Sequence, residues 1–490
     1  MLDLAARLED LSGWNLIAGR RTPPSAGAVF DVVSPATGAR LGCAPLSEAP
    51  DLESAVAAAE KAGAAWAEVP ALERSRLLLE AAAAVEAQSE ALARVISAET
   101  GRPIRTETRP EVANAVRIFR YFAGLASEAK GESVPFTKDV IALSLREPLG
   151  VVAAIVPWNV PAMLTCLKIA PALATGNAVI VKPAEESPLS TAWLCEMIAA
   201  ALPPGVLNVL QGRGETVGAG LVAHPRIAKV AFTGSTSTGR LIARTAADRL
   251  IPVTLELGGK SPLLIFGDAD LERAVSLTDL GMRFSRQGQS CTSTTRIYIH
   301  QDLRAAYLER LCAHIDSLVI GDPLDEATDI GTLISHAAVD RVSAAVAAAE
   351  RAGLVVRRAG ALPTAAPFAT GAYLQPTLVL DPPHAAAINQ EEIFGPVATV
   401  SAWDDFDALI ESANGTDFGL SASLVTNDLK AAMRAARKIK AGFIQVNTGL
   451  VIQPGISFGG YKSSGLGREA SLGSMLESYT QVKSILIDHS

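Results

Sequence analysis

Charge is scarce in this chain of 490 residues, where Asp, Glu, Lys and Arg together make up 19%. That is too little for a disordered or heavily solvated chain. Clustered cations are absent too. The net charge is −8, and the pair Arg20-Arg21 and the run Arg437-Lys-Ile-Lys440 are short, both read as solvated faces. A general nucleic-acid binder needs more, because phosphate neutralisation requires grouped Lys and Arg. The five cysteines (Cys43, Cys166, Cys195, Cys291, Cys312) are widely spaced with no CxxC pair. They suit neither a disulfide framework nor a zinc site, so a reduced, cytoplasmic setting is expected. No apolar run has the length of a membrane span, and the acidic start Met1-Leu-Asp-Leu-Ala-Ala-Arg-Leu-Glu-Asp10 does not read as a secretory signal. None of the six histidines sits in a recognisable motif. That disfavours a Cys-His hydrolase, and no His/Asp/Glu cluster offers a metal site.

What is present is apolar material, 49% of the residues, enough for two or three domains at this length. Short β-like runs and turns fill 14–45. An Ala, Leu, Glu and Arg-rich helical array follows from Asp51 to about Gly131, with Asp51 able to cap one helix, Pro70 starting the next and Gly101-Arg-Pro103 breaking the series. Residues 133–147 read as a β-hairpin, which is marginal alone and needs another sheet or chain. The strand-like tail 478–487 is expected to join a sheet elsewhere.

From Gly150 the rhythm becomes strand, loop, helix. Apolar strands are expected at 151–156, 178–181, 206–210, 229–232 and 253–257, a pattern of a parallel sheet covered on both faces. Ligands of such sheets sit beyond the carboxyl ends of the strands. Those ends carry Pro157-Trp158-Asn159, Lys182-Pro-Ala-Glu185, Thr233-Gly234 through Gly239, and Gly258-Gly259-Lys260. A second α/β segment begins near Ser261, with a strand at 296–300, helices at about 303–320 and 337–353, and strands near Leu378 and Val397.

Each candidate has an ordinary reading beside its chemical one. Gly234 to Gly239 at a strand-to-helix turn can cradle a phosphate, or simply start a helix. Lys182 and Glu185 can hold ribose hydroxyls, with the carboxylate disfavouring a 2′-phosphate, or form a surface pair. Glu256, at the end of an apolar strand, would have a raised pKa and suit a general base if unpaired; the alternative is a salt-bridged glutamate. Asn159 is a candidate oxyanion donor or turn residue. Cys291, in Gln287-Gly-Gln-Ser-Cys-Thr292, is flanked by small residues and sterically open, although a free cysteine is more often packed in a core.

Taken in order, seven motifs resemble the NAD(P)-dependent aldehyde dehydrogenase superfamily over almost the whole chain. They are Pro157-Trp158-Asn159, Lys182-Pro-Ala-Glu185, Phe232-Thr-Gly-Ser-Thr236, Leu255-Glu-Leu-Gly-Gly-Lys-Ser-Pro262, Gly288-Gln-Ser-Cys291, Glu391-Glu-Ile-Phe-Gly-Pro396 and Phe458-Gly-Gly-Tyr-Lys-Ser-Ser-Gly465. The resemblance implies an α/β subunit with a Rossmann-like cofactor domain (1–130 and 149–257), a catalytic α/β domain (258–460) and a β-hairpin oligomerisation arm (131–148 and 470–490). It implies a homodimer or homotetramer. It makes Cys291 the nucleophile, Glu256 the base, and Asn159 with the Cys291 amide the oxyanion hole. Pro157, Trp158, Lys182, Glu185, Gly234, Ser235, Gly239, Leu257, Glu392 and Phe394 would bind the cofactor. That cofactor would be NAD, with NADP open.

The reaction so implied is oxidation of an aldehyde to its acid through a Cys291 thiohemiacetal and thioester, with water activated by Glu256. A Glu at that place favours hydrolysis over transfer to coenzyme A. By position, Val160, Leu164, Leu167, Phe284, Ser290, Thr292, Ile452 and Phe458 would line the substrate tunnel, suiting an apolar aliphatic or aromatic aldehyde. The pattern is broken at Ser293 and Thr294, where the family often has Ala-Gly, and at Arg286, where it has a smaller neutral residue. All three could reshape the tunnel. Arg286 could anchor the carboxylate of a semialdehyde acid, but a lone loop arginine more often faces solvent. A non-catalytic relative that keeps the fold is the other alternative.

Overall fold

The computed structural model describes residues 4–449 and 452–490, so the first three residues of the N-terminal stretch read above lie outside it. Two large sheets organise the rest. In the first, the spatial order is Arg20–Thr22, Asn15–Ile17, Leu207–Val209, Ala178–Lys182, Val151–Ile155, Ile227–Thr233, Val253–Glu256 and Gly465–Leu466. The central five strands are parallel. The chain winds outward from Val151–Ile155 in one direction, then returns to lay Ile227–Thr233 on its other side. That reversal is the switch point at which open α/β sheets take ligands.

Alternation explains why these strands are apolar throughout. Val152 and Ala154 face a core shared with Leu164, Leu167 and Leu173 of the helix Pro161–Ala174 and with Val112 and Phe119 of Arg109–Gly124. Val151 and Ala153 face the opposite core, with Val56, Leu221 and Ile242. Neither face reaches water. The Ala-rich array is the helices Ala49–Ala67, Ala71–Ala87, Ser89–Thr100 and Arg109–Gly124. Gly101 ends the third at φ 69°, a left-handed cap that costs glycine little. Asp51 is not the cap of the first helix. It lies inside it and accepts a hydrogen bond from the Glu48 amide at 2.9 Å.

The second sheet runs Val355–Arg358, Thr377–Leu380, Val397–Trp403, Arg296–His300, Pro262–Ile265, Ser421–Val425 and Phe443–Val446, parallel except for the first strand. Pro262–Ile265, Ser421–Val425 and Phe443–Val446 escaped the sequence reading, because a leading proline, two serines and a central glutamine blur their apolar pattern. The chain passes from one sheet to the other within residues 257–261, so Glu256, at the end of a strand of the first sheet, and Cys291, in the turn ahead of the second sheet's strand Arg296–His300, come from opposite sides of that seam.

The third sheet is the 133–148 hairpin with the tail. Thr480–Asp488 pairs antiparallel with Val140–Pro148 along nine residues. The orphan hairpin and the orphan tail therefore satisfy each other's backbone. Among the described residues no helix is long and apolar enough to cross a membrane.

Candidate active site

A groove of about 660 Å³ opens at the carboxyl ends of the first sheet. Pro157, Trp158, Lys182, Glu185, Gly234 and Ser235 all line it. Lys182 is buried and donates to Glu185 Oε1 and to the Pro183 carbonyl, both at 2.9 Å, so the two are not an ordinary surface pair. Ser235 caps the helix Thr236–Asp248, accepting from the Thr238 amide at 3.2 Å. Ser235 and Thr238 bring that helix start to the groove wall, and a helix start favours an anion. Glu215 lines the groove as well; no motif marked it. Gly239 and Leu257 do not line it. They pack on each other, since a Cβ on Gly239 would stand 2.4 Å from Leu257 Cδ2. Phe394 meets Trp158 edge-on with ring centroids 5.5 Å apart. Glu392 accepts the Gly259 amide at 3.0 Å, and burial raises its pKa.

On the other side of the seam lies a narrow slot of about 40 Å³, lined by Cys291, Asn159, Val160, Leu164, Ser290, Thr292 and Ile452. Met163, Phe443, Arg283 and Arg286 complete it. Leu167, Phe284 and Phe458 are not in the lining. Phe284 is wholly buried in the core of the second sheet, Leu167 turns into the first core, and Phe458 stands behind Phe443 with centroids 5.6 Å apart. Ser293 and Thr294 do not reshape the slot either. The Ser293 hydroxyl donates back to the Met282 carbonyl at 3.0 Å, and the Thr294 amide to that of Gly281 at 2.9 Å.

Cys291 is half-buried, unlike the fully packed Cys166, Cys195 and Cys312. Burial, then the charges of Glu392 and Glu256, push its thiol up to about 12. Its loop is tightly held. Asn159 Nδ2 donates to the Gln289 carbonyl at 3.0 Å, Gln287 Nε2 to that of Gly331 at 2.7 Å, and the Ile334 amide to Gln289 Oε1 at 2.9 Å. The Cys291 carbonyl presses so closely on Gly259 that a Cβ there would stand 2.3 Å away.

Glu256 is buried, and among the described residues neither of its carboxylate oxygens has a hydrogen-bond partner. Burial, then the charge of Glu469, raises its pKa well above the ordinary carboxylate range; Lys168 and Arg468 oppose this. Lys168 and Glu469 form a buried ion pair at 2.7 Å, another feature that no sequence pattern announced.

Arg286 does not face solvent. It is buried, and its Nε reaches Glu107 Oε2 at 2.8 Å while Nη2 bonds the same oxygen. Burial alone would raise the Glu107 pKa; Arg286, Arg102 and Ser285 reverse this and hold it at about 2. Arg102 also reaches Glu111 at 2.5 Å, and Glu111 Oε1 accepts the amides of Ala162 and Met163 at 2.7 and 3.2 Å. A buried chain of charge thus ties the cysteine loop to the start of the helix that follows Asn159.

The family model for the aldehyde dehydrogenases matches residues 22–485. The chain belongs to the aldehyde dehydrogenase family. Several solved structures share its shape throughout. PnpE from Pseudomonas sp. WBC-3 is 39% identical with a TM-score of 0.94, covering 98% of each chain. An aldehyde dehydrogenase from Bacillus cereus, solved with NAD+, is 33% identical at a TM-score of 0.95, covering 100% of this chain and 99% of its own. An NADP-dependent enzyme from E. coli is 34% identical at 0.93, covering 98% and 99%.

Proposed function

We propose that the protein oxidises an aldehyde to its carboxylic acid, with Cys291 as nucleophile and Glu256 as base. The observation that carries this is Glu256, a buried carboxylate without a hydrogen-bond partner among the described residues, whose charge acts on the Cys291 thiol, which in turn shares its slot with the Asn159 amide. A carboxylate kept only for structure would be paired.

The groove residues suit a dinucleotide. Lys182 and Glu185 would hold the adenosine ribose, the start of the helix Thr236–Asp248 the pyrophosphate, and Glu392 the nicotinamide ribose. When bound, the cofactor accepts a hydride. NAD is favoured over NADP, because Glu185 and Glu215 repel a 2′-phosphate.

The chain's own residues do the rest. Glu256, whose charge acts on the Cys291 thiol, takes the thiol proton and passes it to water; the thiolate attacks the aldehyde carbon, and the oxyanion is held by Asn159 Nδ2 and the Cys291 amide. Loss of hydride leaves a thioester. Glu256 takes a proton from water as the water adds to the thioester carbonyl, and the carboxylic acid leaves as the thiolate is restored. The 133–148 hairpin and the tail support assembly as a homodimer or homotetramer, and the reduced cysteines a cytoplasmic setting.

The test is formation of NADH with a panel of aldehydes, run with both nucleotides. Cys291→Ala should be silent, and Asn159→Ala should lose about 10²–10³ in kcat, the usual worth of one oxyanion donor. Silence of the wild-type protein across the whole panel would instead favour a non-catalytic relative.

A further inference from the structure

Beyond the slot at Cys291 lies a second cavity, of about 310 Å³. The two share Val160, Met163, Arg283 and Arg286, so these four residues mark their junction. A substrate whose aldehyde reaches Cys291 must pass the junction and leave its far end in the outer cavity. What the junction presents to the passing chain therefore selects among aldehydes.

The charges at the junction are already answered inside the protein. Arg286 holds Glu107 through two nitrogens, and Glu107 also accepts from Arg102 and Ser285. Glu111 pairs with Arg102 at 2.5 Å and Asp279 with His314 at 3.0 Å. Arg283 donates to the Gly449 carbonyl at 3.3 Å, and the charges of Glu107 and Asp279 both act on it. A carboxylate carried in by the substrate would have to separate Glu107 from its arginine or lie uncompensated beside it. Both are costly in a buried site.

A hydrogen bond is a different matter. Arg286 uses Nε and Nη2 on the same oxygen of Glu107. Its remaining nitrogen, Nη1, has no hydrogen-bond partner among the described residues. The residue is 8% exposed and lines both cavities. A guanidinium is planar and rigid, so two nitrogens fixed on a carboxylate also fix the direction of the third. Other polar groups along the passage are engaged. The Ser290 and Thr292 hydroxyls lie 3.1 Å apart as a bonded pair. Asn114 donates to the Ile452 carbonyl at 3.1 Å and accepts from Arg117 at 3.0 Å. A hydrocarbon chain threaded past Arg286 displaces water from Nη1 and supplies no acceptor, which leaves an N–H unsatisfied in a confined space.

We propose that Arg286 Nη1 donates a hydrogen bond to a neutral oxygen within the substrate chain, so that the preferred aldehyde carries an ether, hydroxyl or carbonyl oxygen between its aldehyde and its far end. The inference rests on the assignment of Cys291 as the nucleophile. It keeps Arg286 as a specificity residue, where the sequence pointed, but changes the group it recognises from a carboxylate to an uncharged oxygen.

The test is a series of straight-chain aldehydes of one length. It comprises the n-alkanal, analogues in which one chain CH2 is replaced by an ether oxygen at successive positions, and the ω-oxo acid. Wild type should favour one of the ether analogues over the n-alkanal by about 10–100-fold in kcat/KM, the scale of a hydrogen bond from a charged donor. It should not favour the ω-oxo acid. The double variant Arg286→Met with Glu107→Gln removes the donor and its counter-charge together, and in it the ether analogue should lose its advantage over the alkanal. Arg286→Lys keeps the ion pair without the third nitrogen and should lose most of that advantage too, so a double variant that fails to fold does not end the test. In a measurement free of turnover, the alkoxy acid product should raise the Tm of wild type more than the matching alkanoic acid does, and the two should act alike on Arg286→Lys. Ether analogues no better than the alkanal at every position overturn the proposal, as does an ω-oxo acid preferred over all of them, or an advantage that survives in the variants. If wild type is silent on the whole series, the alkanal included, then the Cys291 assignment falls, which is a different failure.

Discussion

The groove proposed for the cofactor and the cavities proposed for the substrate lie on opposite sides of one seam, and they are built differently. The groove takes its functional groups from the ends of consecutive parallel strands, each group within a few residues of its strand. The cavities take theirs from four distant segments, around Thr106–Asn114, Asn159–Leu164, Asp279–Thr292 and Phe443–Ile452. In the groove the backbone itself would supply much of the binding, through a helix start and strand ends. In the cavities side chains would supply nearly all of it, and their charges must be balanced inside the protein.

The two sides should therefore respond differently to change. The largest effect belongs to the seam. Glu256→Gln should keep a single burst of NADH and lose about 10²–10⁴ in steady-state turnover, the usual worth of a general base; a variant that turns over normally would place the base elsewhere. Next comes the cavity side. Glu107→Gln leaves Arg286 and Arg102 under-compensated in the interior and should cost about 3–5 kcal/mol of stability in urea unfolding. The low pKa of Glu107 gives the sign with pH. Its contribution is full above the ordinary carboxylate value and fades as pH falls through about 2, so wild type and variant should converge in strong acid. Pairing it with Arg286→Met should restore part of the loss. The smallest effect is expected in the groove. Glu185→Gln should leave stability unchanged and improve kcat/KM for NADP by about tenfold, equivalent to roughly 1.4 kcal/mol of relieved repulsion. A Glu107 variant that altered only the KM for NAD would break the division between the two sides.

The same contrast explains what the sequence could say. The first sheet was legible because its strands are continuous apolar runs and its ligand groups follow them directly. Cys291, Glu256 and Asn159 could be singled out because each sits in a short motif, and their roles rest on the function proposed above. Half of the second sheet was not legible, since Ser421–Val425 and Phe443–Val446 carry polar residues in buried positions. Nor were the partners of Arg286. Glu107 lies 179 residues away, and no local pattern records a pairing at that distance. An arginine read as solvent-facing proved buried for that reason. Leu167, Phe284 and Phe458, expected in the tunnel, lie behind it because proximity in sequence to a lining residue does not fix which way a side chain turns.

The narrow slot around Cys291 has a consequence for survival under oxidative stress. Thiolates attack peroxides, and oxidation beyond the sulfenic stage is irreversible for most proteins. A sulfur whose pKa stands at about 12 is almost wholly protonated at neutral pH, and a space of about 40 Å³ admits little besides a small molecule. The resting enzyme is thus stored in its least oxidisable form. Loss of activity on exposure to hydrogen peroxide, measured without substrate or nucleotide, should accelerate steeply between neutral and alkaline pH. A rate independent of pH would mean that the stored form is the thiolate.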